Sequence, residues 1–83
     1  MDYTDRIKRI LGSALQLGDR ANHFTRSTPL LGGIPEFDSM AVVTVLTMIE
    51  DEFGFSVADD EISGETFETV GSLADFVAQK AEA

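Results

Sequence analysis

The 83-residue sequence contains no cysteine and no tryptophan, and it has only one histidine and two prolines. Without cysteine, the chain forms no disulfide bond, no zinc–thiolate site and no cysteine nucleophile. His23 has no second type of metal ligand and no candidate nucleophile near it in the sequence, so we expect neither a metal site nor a catalytic triad. We therefore predict that the protein is not an enzyme.

Basic residues are also scarce, since six Lys and Arg stand against fifteen Asp and Glu and leave a net charge of -9. The residues up to Pro35 carry a net charge of +2, and those from Glu36 onward carry -11. Nucleic acid is not expected as a partner, because contacts with phosphates require a basic surface. The acidic second half instead predicts protein partners with basic surfaces.

No apolar run approaches the roughly 20 residues that cross a bilayer, and the N-terminus lacks the features of a signal peptide. We expect a soluble, cytoplasmic monomer that does not insert into membranes. The length fits one domain over residues 1–83.

Apolar residues at helical spacing predict a first helix from Tyr3 to Leu17, which Asp2 can cap and Gly18 can end. The last helix is predicted to begin at Thr69 or Ser72, after a short helical turn at 63–68. Between them, residues 18–37 form a long loop. We expect its apolar side chains to pack across the helices, and these are Phe24, Leu30, Leu31 and Ile34. The predicted fold class is all-α, a small four-helix bundle with three longer helices and one short one.

The segment from Asp38 to Phe53 gives an ambiguous signal. Its valines and threonines are β-branched and by themselves favour a strand. A length of about four turns, Asp38 as an N-cap and Gly54 at the end favour a helix instead. We expect the core face to hold Val42, Val43, Leu46, Ile49 and Phe53, and the opposite face to hold Met40, Thr44, Thr47 and Asp51, with Ala41 and Met48 beside them.

The functional prediction rests on Ser39. As the first residue of a helix capped by Asp38, it presents its hydroxyl at the surface, where another protein can modify it. A helix N-terminus favours an attached anion, because its unpaired N–H groups and the helix dipole are worth about 0.3 to 1 kcal/mol at an exposed site. An Asp-Ser pair is most often only a capping signal, so the evidence comes from the residues that surround it.

Those surroundings are four motifs in order: Asp38-Ser39-Met40, Ile49-Glu50-Asp51-Glu52-Phe53-Gly54, Val57 with Asp59-Asp60-Glu61, and Phe67-Glu68-Thr69-Val70. Over nearly its whole length the chain resembles the acyl carrier protein family. That family is a four-helix bundle with a long first loop, and its Asp-Ser-Leu signature carries a 4'-phosphopantetheine arm on the serine.

The resemblance implies that Ser39 receives this arm from coenzyme A through a phosphopantetheinyl transferase, which Asp38 helps to recognise. The thiol of the arm would hold acyl groups as thioesters. It would present them to acyl-activating, ketosynthase or acyltransferase enzymes of lipid, polyketide or related biosynthesis.

The chain departs from the family at several positions. Met40 replaces the usual leucine, and Glu36-Phe37 stand where a glycine is frequent. Ala41 and Thr44 replace carboxylates that are usual in carriers of fatty acid synthesis, which implies a specialised pathway. The partner-docking residues implied are Met40, Ala41, Thr44, Met48, Glu50, Asp51, Asp59 and Asp60. An acyl pocket is predicted between Val43, Leu46, Val57, Ile62 and Phe67.

Two alternatives stay open at this point. One is an aminoacyl or peptidyl carrier, which differs in the enzyme that loads it. The other is an acidic interaction module without a prosthetic group, which binds a basic partner through Glu50, Asp51, Asp59 and Asp60.

Overall fold

Three α-helices and three short 3-10 helices make up the computed structural model, which describes residues 3–82 apart from the side chain of Asp59. The α-helices are α1 (Thr4–Ala14), α2 (Ser39–Phe53) and α3 (Val70–Ala81), and the 3-10 helices are Gly18–His23, Asp59–Glu61 and Gly64–Phe67. The predicted all-α bundle is confirmed, with Gly64–Phe67 as the short helix before α3. No helix in the described residues is both long and apolar enough to cross a membrane.

Helix α1 is shorter than predicted. It ends at Ala14 and not near Leu17, because Gln16 adopts a positive φ of 54° that a helix cannot continue through. Leu17 is still buried although it lies beyond the helix. The predicted cap Asp2 lies outside the described residues, and Tyr3, which occupies the N-cap position, makes no side-chain capping hydrogen bond.

Both predicted ends of α2 are confirmed. The Asp38 carboxylate accepts a hydrogen bond from the amide of Ala41 at 2.9 Å. At the other end, Gly54 takes the left-handed conformation with φ 75° and its amide donates to the carbonyl of Glu50.

The face by which α2 meets the core differs in part from the prediction. Ile49 is buried as expected, and Val42, Leu46 and Phe53 are partly buried against the core. The buried row is Ala41, Val45 and Ile49, spaced four residues apart. Val43 was expected in the core, but it is 60% exposed. Since each residue advances the helix by about 100°, Val43 points about 200° away from Val45.

The long first loop packs through some of the side chains expected. Leu30 and Ile34 are buried and Phe24 is partly buried. Leu31 is 48% exposed, so its predicted burial is wrong. The 3-10 helix Gly18–His23 was not predicted, and it places Ala21 against α1 close to Gly12.

Backbone hydrogen bonds join the loop to the start of α3. The amides of Leu30 and Leu31 donate to the carbonyls of Glu68 and Phe67 at 2.9 and 3.1 Å. In return, Val70 and Gly71 donate to the carbonyls of Thr28 and Arg26 at 3.0 and 2.9 Å. A Cβ atom at position 71 would lie 2.9 Å from the Arg26 carbonyl oxygen, so this close approach requires glycine.

Helix α3 begins after Thr69, the first of the two predicted starts. The Thr69 hydroxyl accepts from the Ser72 amide and the Ser72 hydroxyl accepts from the Thr69 amide, both at 3.0 Å. This reciprocal capping box fixes the helix start. One hydrophobic core unites the helices and the loop. Its completely buried members are Ile7, Leu11, Leu30, Val45, Ile49, Val70, Leu73 and Val77.

Candidate functional site

Ser39 is the first residue of α2, and its side chain is exposed. The Asp38 carboxylate caps the amide of Ala41, and the Asp38 carbonyl accepts from the amide of Val42 at 3.0 Å. Within residues 3–82, the amides of Ser39 and Met40 have no hydrogen-bond partner. The capping therefore leaves two N–H groups of the helix N-terminus unpaired beside the hydroxyl.

The turn before Ser39 is anchored at two points. Phe37 is buried and its ring lies 5.8 Å from that of Phe67, between centroids. Glu36 forms a two-pronged ion pair with Arg20 of the Gly18–His23 helix, with one contact at 3.1 Å. Hydrogen bonding from Arg20 holds the pKa of Glu36 below its ordinary value, and the same pair raises the pKa of Arg20.

This pairing of Arg20 with Glu36 was missed in the sequence. The two residues lie sixteen positions apart in the chain. They meet because the Gly18–His23 helix folds back toward the turn, and no local pattern indicates that.

The surface of α2 next to Ser39 is apolar. Met40 is 74% exposed and Val43 is 60% exposed. The hydroxyls of Thr44 and Thr47 donate to the carbonyls of Met40 and Val43 at 3.2 and 2.9 Å. From Ser39 to Ile49 the helix carries no charged residue.

Of the predicted docking residues, Met40 and Thr44 are exposed on this apolar part of α2, and Met48 is partly buried. The prediction for Ala41 is wrong on accessibility. It is only 8% exposed, because it belongs to the buried row of the helix with Val45 and Ile49.

The acidic end of α2 is largely engaged with the rest of the fold. Glu50 accepts a hydrogen bond from the amide of Val57 at 2.7 Å, which holds the chain after the helix. Glu52 pairs with Arg6 at 3.1 Å, and the Arg6 guanidinium lies 4.3 Å above the ring of Phe53. Asp51 is exposed, and its carboxylate has no hydrogen bond or ion pair with the residues that the structure describes.

In the connection between α2 and α3, a second carboxylate, that of Glu61, also accepts a hydrogen bond from a backbone amide. Glu61 accepts from the amide of Ala58 at 2.7 Å and pairs with Lys80 of α3 at 2.6 Å. These contacts, the hydrogen bond from Ala58 first, hold the pKa of Glu61 below its ordinary value. The predicted docking residue Asp60 is exposed beside it, and the side chain of Asp59 lies outside the description.

The five residues of the predicted acyl pocket differ in their exposure. Phe67 is buried and Leu46, Val57 and Ile62 are partly buried, whereas Val43 points to solvent, so its inclusion is wrong. Two surface cavities, of about 490 and 530 Å³, have other linings. One lies between α1 and the Gly18–His23 helix, and the other lies beside α3.

Other reactive groups do not gather around Ser39. His23 is exposed at the end of its 3-10 helix. In the part of the chain that the structure describes, no three His, Asp or Glu side chains lie close enough together to hold a metal ion.

Comparison with known proteins gives the family. The family profile of the phosphopantetheine attachment site matches residues 5–77. The solution NMR structure of a holo acyl carrier protein from Nitrosomonas europaea is 54% identical, superposes with a TM-score of 0.93, and the match covers 100% of each chain. The comparison with curated proteins gave no significant match. The chain therefore belongs to the acyl carrier protein family, whose members are not catalysts but carriers with a covalent 4'-phosphopantetheine and work with a transferase and biosynthetic enzymes.

Proposed function

We propose that the chain, as a single carrier domain, holds the 4'-phosphopantetheine on the Oγ atom of Ser39 and presents acyl thioesters to enzymes of lipid, polyketide or related biosynthesis. The observation that carries the proposal is an exposed serine hydroxyl at the start of α2, inside the region that matches the attachment-site family. In the attachment step, Ser39 Oγ bonds to the phosphorus that bears the pantetheine arm of coenzyme A. The pyrophosphate bond breaks, the adenosine bisphosphate leaves, and the serine proton passes to the transferase.

The residues present fit the phosphodiester that this step creates. The unpaired amides of Ser39 and Met40 and the dipole of α2 favour a negative group at this position. Asp38 adds a neighbouring negative charge, but its carboxylate accepts the hydrogen bond of the Ala41 amide. When bound, the arm supplies a thiol that forms thioesters, and this thiol has no competitor because the chain contains no cysteine.

Partner recognition follows from the surface near Ser39. Asp38 is exposed beside the serine, and we assign it to recognition by the transferase. Farther away, Asp51 and Asp60 are exposed and suit a basic surface on a biosynthetic enzyme. The absence of charge in the early turns of α2 supports a specialised pathway.

The acyl chain would shelter between α2 and the connection to α3. Leu46 and Ile62 are only partly buried and pack against the core to which Phe67 belongs, so a modest separation of these elements would admit an apolar chain. Nuclear magnetic resonance tests this assignment on acylated protein. We expect chemical shifts to change with acyl length at Leu46, Val57, Ile62 and Phe67. Unchanged shifts at these residues would contradict the proposed pocket.

Attachment is tested by intact-mass spectrometry after incubation with coenzyme A and a broad-specificity phosphopantetheinyl transferase. Wild-type protein is expected to gain the mass of one phosphopantetheine group, and Ser39→Ala should abolish that gain. Ser13→Ala is the matched control, because Ser13 is an equally small, exposed serine on α1. A mass gain in the Ser39→Ala variant would refute Ser39 as the attachment point.

A further inference from the structure

We propose that the recess between α1 and the Gly18–His23 helix binds an acidic, extended segment of a partner protein through Lys8 and Arg9. The recess has a volume of about 490 Å³. Its lining comes from α1 and from that 3-10 helix, so the recess is separate from the site proposed around Ser39. This second surface of the carrier does not depend on attachment of the arm.

Lys8 and Arg9 differ from the other basic residues in their partners. The other four cations of the chain form ion pairs with carboxylates that lie from Glu36 onward: Arg6 with Glu52, Arg20 with Glu36, Arg26 with Asp75 and Lys80 with Glu61. Those four pairs join distant parts of the fold. Lys8 and Arg9 form no ion pair with any carboxylate among the residues that the structure describes, and both line the recess.

The donors of these two side chains are available to a ligand. Arg9 is exposed. The Lys8 ammonium donates one long hydrogen bond, at 3.4 Å, to the carbonyl oxygen of Asn22 and keeps two further N–H groups. Hydrogen bonds from such cations to carboxylates are stronger than those between neutral groups. The recess therefore suits a ligand that carries carboxylates.

The recess is long enough for a short stretch of polypeptide. On α1 its lining extends from Asp5 to Gly12, which is about 10 Å at a rise of 1.5 Å per residue. About three residues of an extended chain span the same length. Gly12 and Ala21 meet closely across the recess, since a Cβ atom at position 12 would lie 3.1 Å from that of Ala21. Their small size leaves room for a backbone to lie against them.

The order of charges along the recess describes the segment. Lys8 and Arg9 lie between Asp5 and Gly12 on α1, and Asp5 is the one acid among the lining residues. The exposed amide side chain of Asn22 offers further donors from the 3-10 helix. A matching segment carries acidic side chains opposite Lys8 and Arg9 and a neutral or basic residue opposite Asp5.

Other anionic occupants fit the recess less well. Nucleic acid and anionic membranes are bound by larger basic surfaces, with about four or more cations in a cluster. A free phosphate would occupy only part of a recess that follows α1 for about 10 Å. A second copy of this chain brings a further net charge of -9. A short segment avoids most of that repulsion, because charges beyond about 8 Å are screened at physiological salt.

The experiment titrates the nitrogen-15-labelled apo protein with hexaglutamate, capped at both ends, and follows the amide chemical shifts. The test variant is Lys8→Gln/Arg9→Gln. The matched control is Leu31→Glu/Val43→Glu, which places two acids at exposed apolar residues outside the recess. Both double variants change the net charge by -2, from -9 to -11. Circular dichroism verifies each fold, and inorganic phosphate serves as a second probe.

We expect hexaglutamate to give saturable shifts at the amides of Lys8, Arg9, Gly12 and Asn22. Lys8→Gln/Arg9→Gln should weaken binding about tenfold, because two charge-assisted contacts are lost. The control should weaken it by less than about twofold, since its added charges act only through screened repulsion. Phosphate should bind at least about tenfold more weakly than the peptide.

Four results would each overturn the proposal. These are the absence of saturable shifts at the recess, equal weakening in both double variants, phosphate binding as tight as that of the peptide, and a dimer in sedimentation that Lys8→Gln/Arg9→Gln abolishes. Equal weakening would show that only net charge matters, tight phosphate binding would identify a small-anion site, and the dimer would identify a second copy as the occupant. Because the apo protein is used, none of these results bears on attachment at Ser39.

Discussion

The two ends of α2 have opposite character. The first three turns carry no charge and expose Met40 and Val43 beside Ser39. The last turn carries three consecutive acids, but two of them are bonded to other parts of the fold. In this carrier, part of the acidity that dominates the sequence holds the structure together, while an uncharged surface adjoins the reactive serine.

The comparison separates two uses of a carboxylate. Glu50 and Glu61 each accept a backbone amide at 2.7 Å in the connection between α2 and α3, so their charge stabilises that connection. Asp51 has no such partner in the described chain and is available for interactions with other molecules. Counting acids along α2 does not distinguish these roles.

The largest loss of stability is expected from a substitution on the buried face of α2. Ile49→Ala removes a completely buried side chain and should lower the free energy of unfolding by about 2–5 kcal/mol. Val43→Ala, on the exposed face, should change it by no more than about 0.5 kcal/mol. Urea denaturation of both variants measures the difference. Equal losses would mean that α2 meets the core through another face.

A smaller loss of stability is expected from a substitution at the acidic C-terminal end of α2. Glu50→Ala removes the acceptor of the Val57 amide and should lower the free energy of unfolding by about 1–2 kcal/mol. Asp51→Ala is the matched control, with an expected change within about 0.5 kcal/mol. Thermal and urea unfolding compare the pair. If Asp51→Ala proves as destabilising as Glu50→Ala, the distinction between engaged and free acids is wrong.

The smallest effect on stability is expected from the Arg20–Glu36 ion pair in the turn before Ser39, and this effect depends on pH. Because Arg20 holds the pKa of Glu36 below its ordinary value, the pair contributes stability above the unfolded pKa of about 4.3 and loses it as pH falls through the lower folded value. A carbon-13 titration of the Glu36 carboxyl should therefore show its pKa rising toward the ordinary range in Arg20→Gln. Arg9→Gln on α1 serves as control and should leave the titration unchanged. An unmoved Glu36 pKa in Arg20→Gln would contradict the pairing.

Local chemistry made part of this structure predictable. Asp38 and Gly54 mark the ends of α2 because an N-cap carboxylate and a left-handed glycine satisfy needs that exist only at helix ends. Ser39 could be identified as the candidate attachment point because its motif and the motifs after it occur in the order typical of the family. The same local logic limited the start of α3 to Thr69 or Ser72, and Thr69 is the residue that caps the helix.

The features that were predicted wrongly or missed depend on contacts between segments that are distant in the sequence. Between Ser39 and Ile49 every face of α2 is uncharged, so periodicity could not decide whether Val43 or Val45 faces the core. The pairing of Arg20 with Glu36 and the binding of the Val57 amide by Glu50 arise only after distant segments meet. Leu31 is apolar yet exposed, and composition alone assigned it to the interior.

The hydrogen bonds between the first loop and the start of α3 have a mechanical consequence. They join the chain on either side of α2, at Leu30–Leu31 and at Phe67–Glu68, and so close a loop that contains the whole helix and its serine. A tensile force applied through α1 or through the end of α3 is carried by these hydrogen bonds before it acts on α2 and Ser39. The carrier can therefore be tethered at its ends while the geometry around its attachment point stays undisturbed.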